Sequence, residues 1–141
     1  MKRLNIPVGV SNFEEIRKTG SYYVDKTGLI EELLKTFSTQ VTLVTRPRRF
    51  GKTLGMSMLA SFFDVRKDSS ELFEGLKIAE NNKICREWMN QYPVIFLSLK
   101  SAKQPNFEEA YKKICGAIAE EFRRHQYLLA GNSLADDQKI M

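Results

Sequence analysis

The chain has 141 residues, 43% of them hydrophobic, enough for one domain with its own core. Twenty-two basic against 17 acidic side chains give a formal charge of +5, a mild excess that suits an anionic ligand or nucleic acid and singles out neither. No apolar run approaches the roughly 20 residues of a membrane span, and Lys2-Arg3 precede no apolar block of the secretory kind. Cys85 and Cys115 stand far apart, as expected for unpaired thiols in a reducing cytosol. A cytoplasmic chain without a membrane partner is therefore expected; its oligomeric state is not legible.

Residues 1–20 read as irregular, punctuated by Pro7, Gly9 and Gly20, with a short helix over Asn12 to Lys18. Tyr22-Tyr23-Val24 is a brief extended piece. Asp25 or Thr27 then caps a helix whose apolar face is Leu29, Ile30, Leu33, Leu34 and Phe37. Asp25-Lys26-Thr27 has two readings: an ordinary helix cap, or a segment lining the adenine and ribose side of a nucleotide.

Val41 to Thr45 is β-branched and reads as a short strand. Pro47 interrupts it, having no N–H and a fixed φ. Leu54, Met58, Phe62 and Leu59, Phe63 next recur at helical spacing. Strand, turn, Gly51-Lys52-Thr53 and helix form the setting of a phosphate-binding loop. In such a loop the amides of Arg49 through Thr53 and the helix N-terminus make a positive nest for phosphate oxygens. Gly51 allows close approach, Lys52 reaches the outer phosphates, and Thr53 offers its hydroxyl to Mg²⁺. The full pattern asks for glycine where Arg46 stands, and Gly-Lys-Thr alone arises by chance in roughly one in ten to twenty chains of this length. The plainer reading is a basic turn whose glycine starts a helix. Arg46, Arg48 and Arg49 likewise have three readings: neutralising a triphosphate, holding nucleic-acid phosphates, or forming a solvated turn.

Beyond the loop, Asp64 to Glu71 is polar, with Asp68-Ser69-Ser70 as a helix cap, and Leu72, Phe73, Leu76 and Ile78 form an apolar cluster. A short helix runs from Ile84 to Met89, with Trp88 in the core, and ends at Tyr92-Pro93. Val94 to Leu99 reads as a second strand, its continuous apolar run predicting cover on both faces. Asn106 caps the last helix, with Glu109 as a capping-box partner and Phe107, Tyr111, Ile114, Ile118 and Phe122 as its stripe. Glu120-Glu121 and Arg123-Arg124 read as a solvated face, His125 as a surface histidine, and residues 131–141 as a frayed end.

The run Thr45-Arg46-Pro47-Arg48-Arg49-Phe50-Gly51-Lys52-Thr53-Leu54, with Ser57-Met58-Leu59 and Phe62-Phe63-Asp64, resembles the predicted AAA-ATPase-like family of bacteria. Ile6 to Glu14, Tyr23 to Thr27, Leu72 to Ile78 and Tyr92 to Ile95 are similar to further family segments, in the same order. That family carries Arg-Pro-Arg-Arg in place of the first loop glycine; Gly55 departs from it, where a polar residue, usually asparagine, is expected. The resemblance implies an α/β fold, a P-loop NTPase-like three-layer sandwich. Residues 1–141 would be its N-terminal part, the incomplete front half of the sheet. It implies ATP bound by Arg48, Arg49, Phe50, Gly51, Lys52, Thr53 and Leu54, with Lys52 also serving catalysis and Thr53 holding Mg²⁺.

Hydrolysis by such a loop requires an apolar strand ending in an acid to hold Mg²⁺ and polarise water. Val94 to Leu97 is followed by Ser98-Leu99-Lys100 instead. In the family the acidic strand follows later in the chain, and longer members continue into a PD-(D/E)XK nuclease-like domain; a truncated product is expected here. Two functions follow: ATP binding, with hydrolysis dependent on downstream elements, or a non-hydrolysing basic module for nucleic acid or a partner protein.

Overall fold

A computed structural model describes residues 5–35 and 41–130. The chain divides into two compact units, residues 1–94 and 95–141. In the first, α1 (Phe13–Lys18), α2 (Gly28–Lys35), α3 (Lys52–Phe63), α4 (Ser70–Phe73) and α5 (Asn82–Trp88) surround one core, with a 3-10 turn at Lys77–Glu80. The second holds a 3-10 turn at Lys100–Ala102, α6 (Phe107–Arg124) and α7 (Tyr127–Ala130).

The centre of the first unit is aromatic. Phe73 lies 4.9 Å from Phe13 of α1 and 5.2 Å, edge to face, from Phe62 of α3. Ile30, Met58, Leu72, Leu76 and Ile78 complete the buried cluster. Leu72, Phe73, Leu76 and Ile78 thus pack as their spacing predicts. Polar ties hold the helices in register. The first amide of α1, Phe13 N, donates to Ser57 Oγ of α3 at 3.1 Å. Arg17 donates to the carbonyls of Leu72 and Glu74, both at 2.7 Å, satisfying acceptors that the short α4 leaves open.

The C-terminal end of α3 is fastened by Asn90. Its backbone N–H donates to Phe62 O (2.8 Å), its side-chain amide donates to Asp64 O (2.9 Å), and its Oδ1 accepts from Ser69 N (3.0 Å). Asn90 does this at φ 56°, a left-handed conformation that asparagine tolerates better than most residues. This residue, rather than Tyr92-Pro93, turns the chain out of α5, and Trp88 stacks on Tyr92 at 5.2 Å while remaining only partly buried.

The α/β sandwich expected from the sequence is not what forms. Among the described residues there is no strand or sheet; parallel pairing is confined to a single bridge, Asp64 with Tyr92. Val41–Thr45 and Val94–Leu99 are without regular structure, and Val41 and Ile95 are 81% and 71% exposed. β-Branched composition favours extended backbone, but a strand exists only when a neighbour accepts its ladder bonds. No described segment does so, and the expected cover on both faces of Val94–Leu97 is absent too.

In the second unit Asn106 Oδ1 caps α6 by accepting from Glu109 N at 2.9 Å. Glu121, read as solvated, is 8% exposed and accepts from Phe96 N at 3.1 Å, with Arg124 at 3.4 Å from its other oxygen. The His125 ring nitrogen Nδ1 lies 3.0 Å from Glu121 O and is likewise partly buried. Phe37 and residues 131–141 lie outside the described residues.

Asn90→Ala is expected to lower unfolding free energy by about 2–3 kcal/mol, combining left-handed strain with lost hydrogen bonds, and Asn90→Gly by less, because glycine accepts the same φ. Urea denaturation monitored by circular dichroism checks the order; equal midpoints for both variants and the unaltered chain would contradict it.

Candidate functional site: the basic loop before α3

Residues 41–50 are all exposed and lead into α3 through Gly51. Gly51 is the N-cap residue at φ 75°, and Arg49 is also left-handed at φ 69°. Two left-handed residues flanking Phe50 bend the loop sharply back onto the helix start. The cap position carries no side-chain hydrogen bond, and the first turn contains no acidic residue. By helix geometry the amides of Lys52, Thr53 and Leu54 have no intrahelical acceptor, and they sit at the positive end of a 12-residue helix.

Lys52 folds back across the loop. Its ammonium donates to the carbonyl of Arg46 and, at 2.9 Å, to that of Pro47. Thr53 is partly buried, and among the described residues its hydroxyl has no hydrogen-bond partner. None of the ion pairs among the described residues involves Arg46, Arg48, Arg49 or Lys52. Arg48, Arg49, Phe50, Gly51, Lys52, Thr53 and Leu54 thus form one continuous turn and helix start.

Asp25-Lys26-Thr27 divides its labour. Asp25 Oδ1 accepts from the amide and hydroxyl of Thr27 (2.8 and 2.7 Å), and Oδ2 accepts from Lys77 N at 2.7 Å. Thr27, fully buried, accepts from Ile78 N at 3.2 Å. These two residues are structural: they tie the start of α2 to the turn at Lys77–Glu80. Lys26 is not. Its ammonium donates to Phe50 O at 3.1 Å and lies 3.3 Å from where a Cβ on Gly51 would stand. The sequence leaves Lys26 in either a helix cap or a segment lining a nucleotide; its contact with the loop, 24 residues away, is seen only in the fold.

Partial burial would raise the Asp25 carboxyl, but the amides of Lys77 and Thr27, the Thr27 hydroxyl and nearby Arg17 outweigh it and hold the group below its ordinary range. Asp64 is 1% exposed and accepts from the Arg66 guanidinium at 2.8 Å and the Arg66 amide at 3.0 Å. Neither carboxylate is therefore presented to the loop as a free metal ligand. Among the described residues no group of three or more His, Cys, Asp or Glu side chains could hold a metal ion.

A model of the predicted AAA-ATPase family matches residues 7–139. The chain belongs to that family. An uncharacterised protein encoded in the vnfD 5′ region of Azotobacter chroococcum mcd 1 is 34% identical over 99 residues, covering 70% of this chain and 17% of that protein. The match to this AAA-ATPase-like chain therefore spans only 17% of the relative's length. No solved structure matches it. No helix among the described residues is long and apolar enough to cross a membrane.

Because the folded pKa of Asp25 is lowered, its stabilisation is present above the unfolded value, about 3.9, and is lost as pH falls through the folded value. Asp25→Ala should accordingly be less stable than the unaltered chain at pH 7, with the gap narrowing as the pH falls below the unfolded value. Thermal melts across that range test the sign; a gap that widens on acidification would refute it.

Proposed function

We propose that this chain binds a nucleoside triphosphate, ATP, through the turn and helix start at residues 46–54. The observation that carries the reading is the position of the Lys52 ammonium. It lies against the Arg46 and Pro47 carbonyls, beside unpartnered helix-start amides, with no acid in the first turn. Positive charge gathered at the positive end of a helix repels itself, whereas an anion there is favoured by both the amides and the dipole. Membership in the predicted AAA-ATPase family supports the same ligand.

In this reading the amides of Arg49 to Leu54 hold the phosphate chain, and Gly51 keeps side-chain bulk out of the turn. Lys52 exchanges its carbonyl partners for the β- and γ-phosphate oxygens. Such a charge-assisted contact is shorter and stronger than the neutral one it replaces. Arg48 and Arg49 neutralise the remaining charge, and Phe50 sets the turn. The Thr53 hydroxyl, without a hydrogen-bond partner among the described residues, would hold Mg²⁺. Mg²⁺ would neutralise phosphate charge there. The function assigned is binding, since Asp25 and Asp64 are engaged elsewhere; Lys52 would serve phosphoryl transfer if a water-activating group were supplied.

Isothermal titration with ATP, with and without Mg²⁺, tests this. Lys52→Ala should reduce affinity at least tenfold, while Thr53→Ala should keep metal-free binding and lose most of the Mg²⁺-dependent gain. Binding of single-stranded DNA that weakens steeply with salt and survives Lys52→Ala, without ATP binding, would displace the nucleotide reading in favour of nucleic acid.

A further inference from the structure

We infer that Lys26 is a second phosphate-binding residue of this site, and that the site therefore selects polyphosphates over monophosphates. The inference rests on the nucleotide reading above and extends it to a residue far from the loop in sequence. Three observations carry it. First, the ammonium lies over the N-cap of α3, 3.1 Å from Phe50 O and 3.3 Å from the Cβ position of Gly51. Second, it has no carboxylate partner among the described residues, although Asp25 is its neighbour in the chain; that carboxylate is taken by the Thr27 and Lys77 amides. Third, the backbone on either side is fixed, because Asp25 is tied to Lys77 and buried Thr27 to Ile78.

A lysine free to choose would leave the positive end of a helix for water or an acid. Here the flanking ties present it to the same turn that Lys52 crosses. Two ammonium groups, Lys26 on Phe50 O and Lys52 on Arg46 O and Pro47 O, thus bracket one short turn from separate chain segments. Both are held by neutral carbonyls at an exposed surface, where exchange for a charged oxygen is favoured. A chain of several phosphates offers separate oxygens to each cation, whereas a single phosphate has fewer oxygens and less charge to share between them. The adenine-side role considered for this segment from sequence alone is replaced by a phosphate role for Lys26.

The test is titration of the full chain with Mg-ATP, AMP and inorganic tripolyphosphate, using Lys26→Gln, Lys52→Ala and Lys83→Gln as a net-charge control. Lys26→Gln is expected to weaken ATP and tripolyphosphate about tenfold and AMP by less than about twofold. Lys83→Gln should change none of them, and the Lys26→Gln melting temperature should match that of the unaltered chain. Unchanged ATP affinity in Lys26→Gln beside its loss in Lys52→Ala overturns the Lys26 assignment alone. An equal penalty on ATP and AMP, with none on tripolyphosphate, also overturns it by placing Lys26 at the base or ribose. Failure of the unaltered chain to bind any of the three ligands overturns both this inference and the nucleotide reading.

Discussion

The first unit is organised around a hydrogen-bonded tie between two segments some 50 residues apart. Asp25 and Thr27 receive the amides of Lys77 and Ile78, and Thr27 donates its own hydroxyl back to Asp25. A buried hydroxyl and a buried amide are thereby satisfied together; removing either partner would leave the other desolvated and unpaired. On one side of the tie, Ile30 and Ile78 enter the core. On the other, Lys26 is held out over the start of α3. Packing and the candidate site therefore share one constraint.

The division of α3 follows from that arrangement. Its buried residues, Met58, Ser61 and Phe62, all fall in its second half, where Phe73 packs against Phe62. Asn90 and the Asp64–Tyr92 bridge secure that end. The first turn carries no fully buried residue, only Leu54 resting against the core, so the Gly51 bend stays at the surface while the helix is anchored by its far end. Such a helix can present fixed dipoles to an anion without reorganising, the condition under which amides bind phosphate well.

The second unit obeys different rules. The stripe of α6 predicted from Phe107, Tyr111, Ile114, Ile118 and Phe122 forms at helical spacing, yet Phe107 is 80% and Phe122 53% exposed. The buried side is marked instead by Glu121, through Phe96 N and Arg124. A carboxylate is tolerated there because a backbone amide and a guanidinium meet it; hydrophobicity alone does not say which face of an amphipathic helix will find a partner.

The sequence by itself determined what depends on neighbours within a few residues. The short helix near Asn12 to Lys18, the cap at Asn106, the helix from Lys52, the Gly51 bend and the Leu72–Ile78 cluster were all readable from short-range spacing. So was the family, because its motifs are local strings that keep their order. Tertiary structure decided whatever needed a distant partner. Val41–Thr45 and Val94–Leu99 carry strand composition but meet no ladder partner among the described residues, and the expected sandwich gives way to helices around an aromatic core. Lys26 joins the loop only because Asp25 and Thr27 are spent on Lys77 and Ile78. Pairing and proximity are properties of chain closure rather than of any one segment, and only the folded chain brings those segments together.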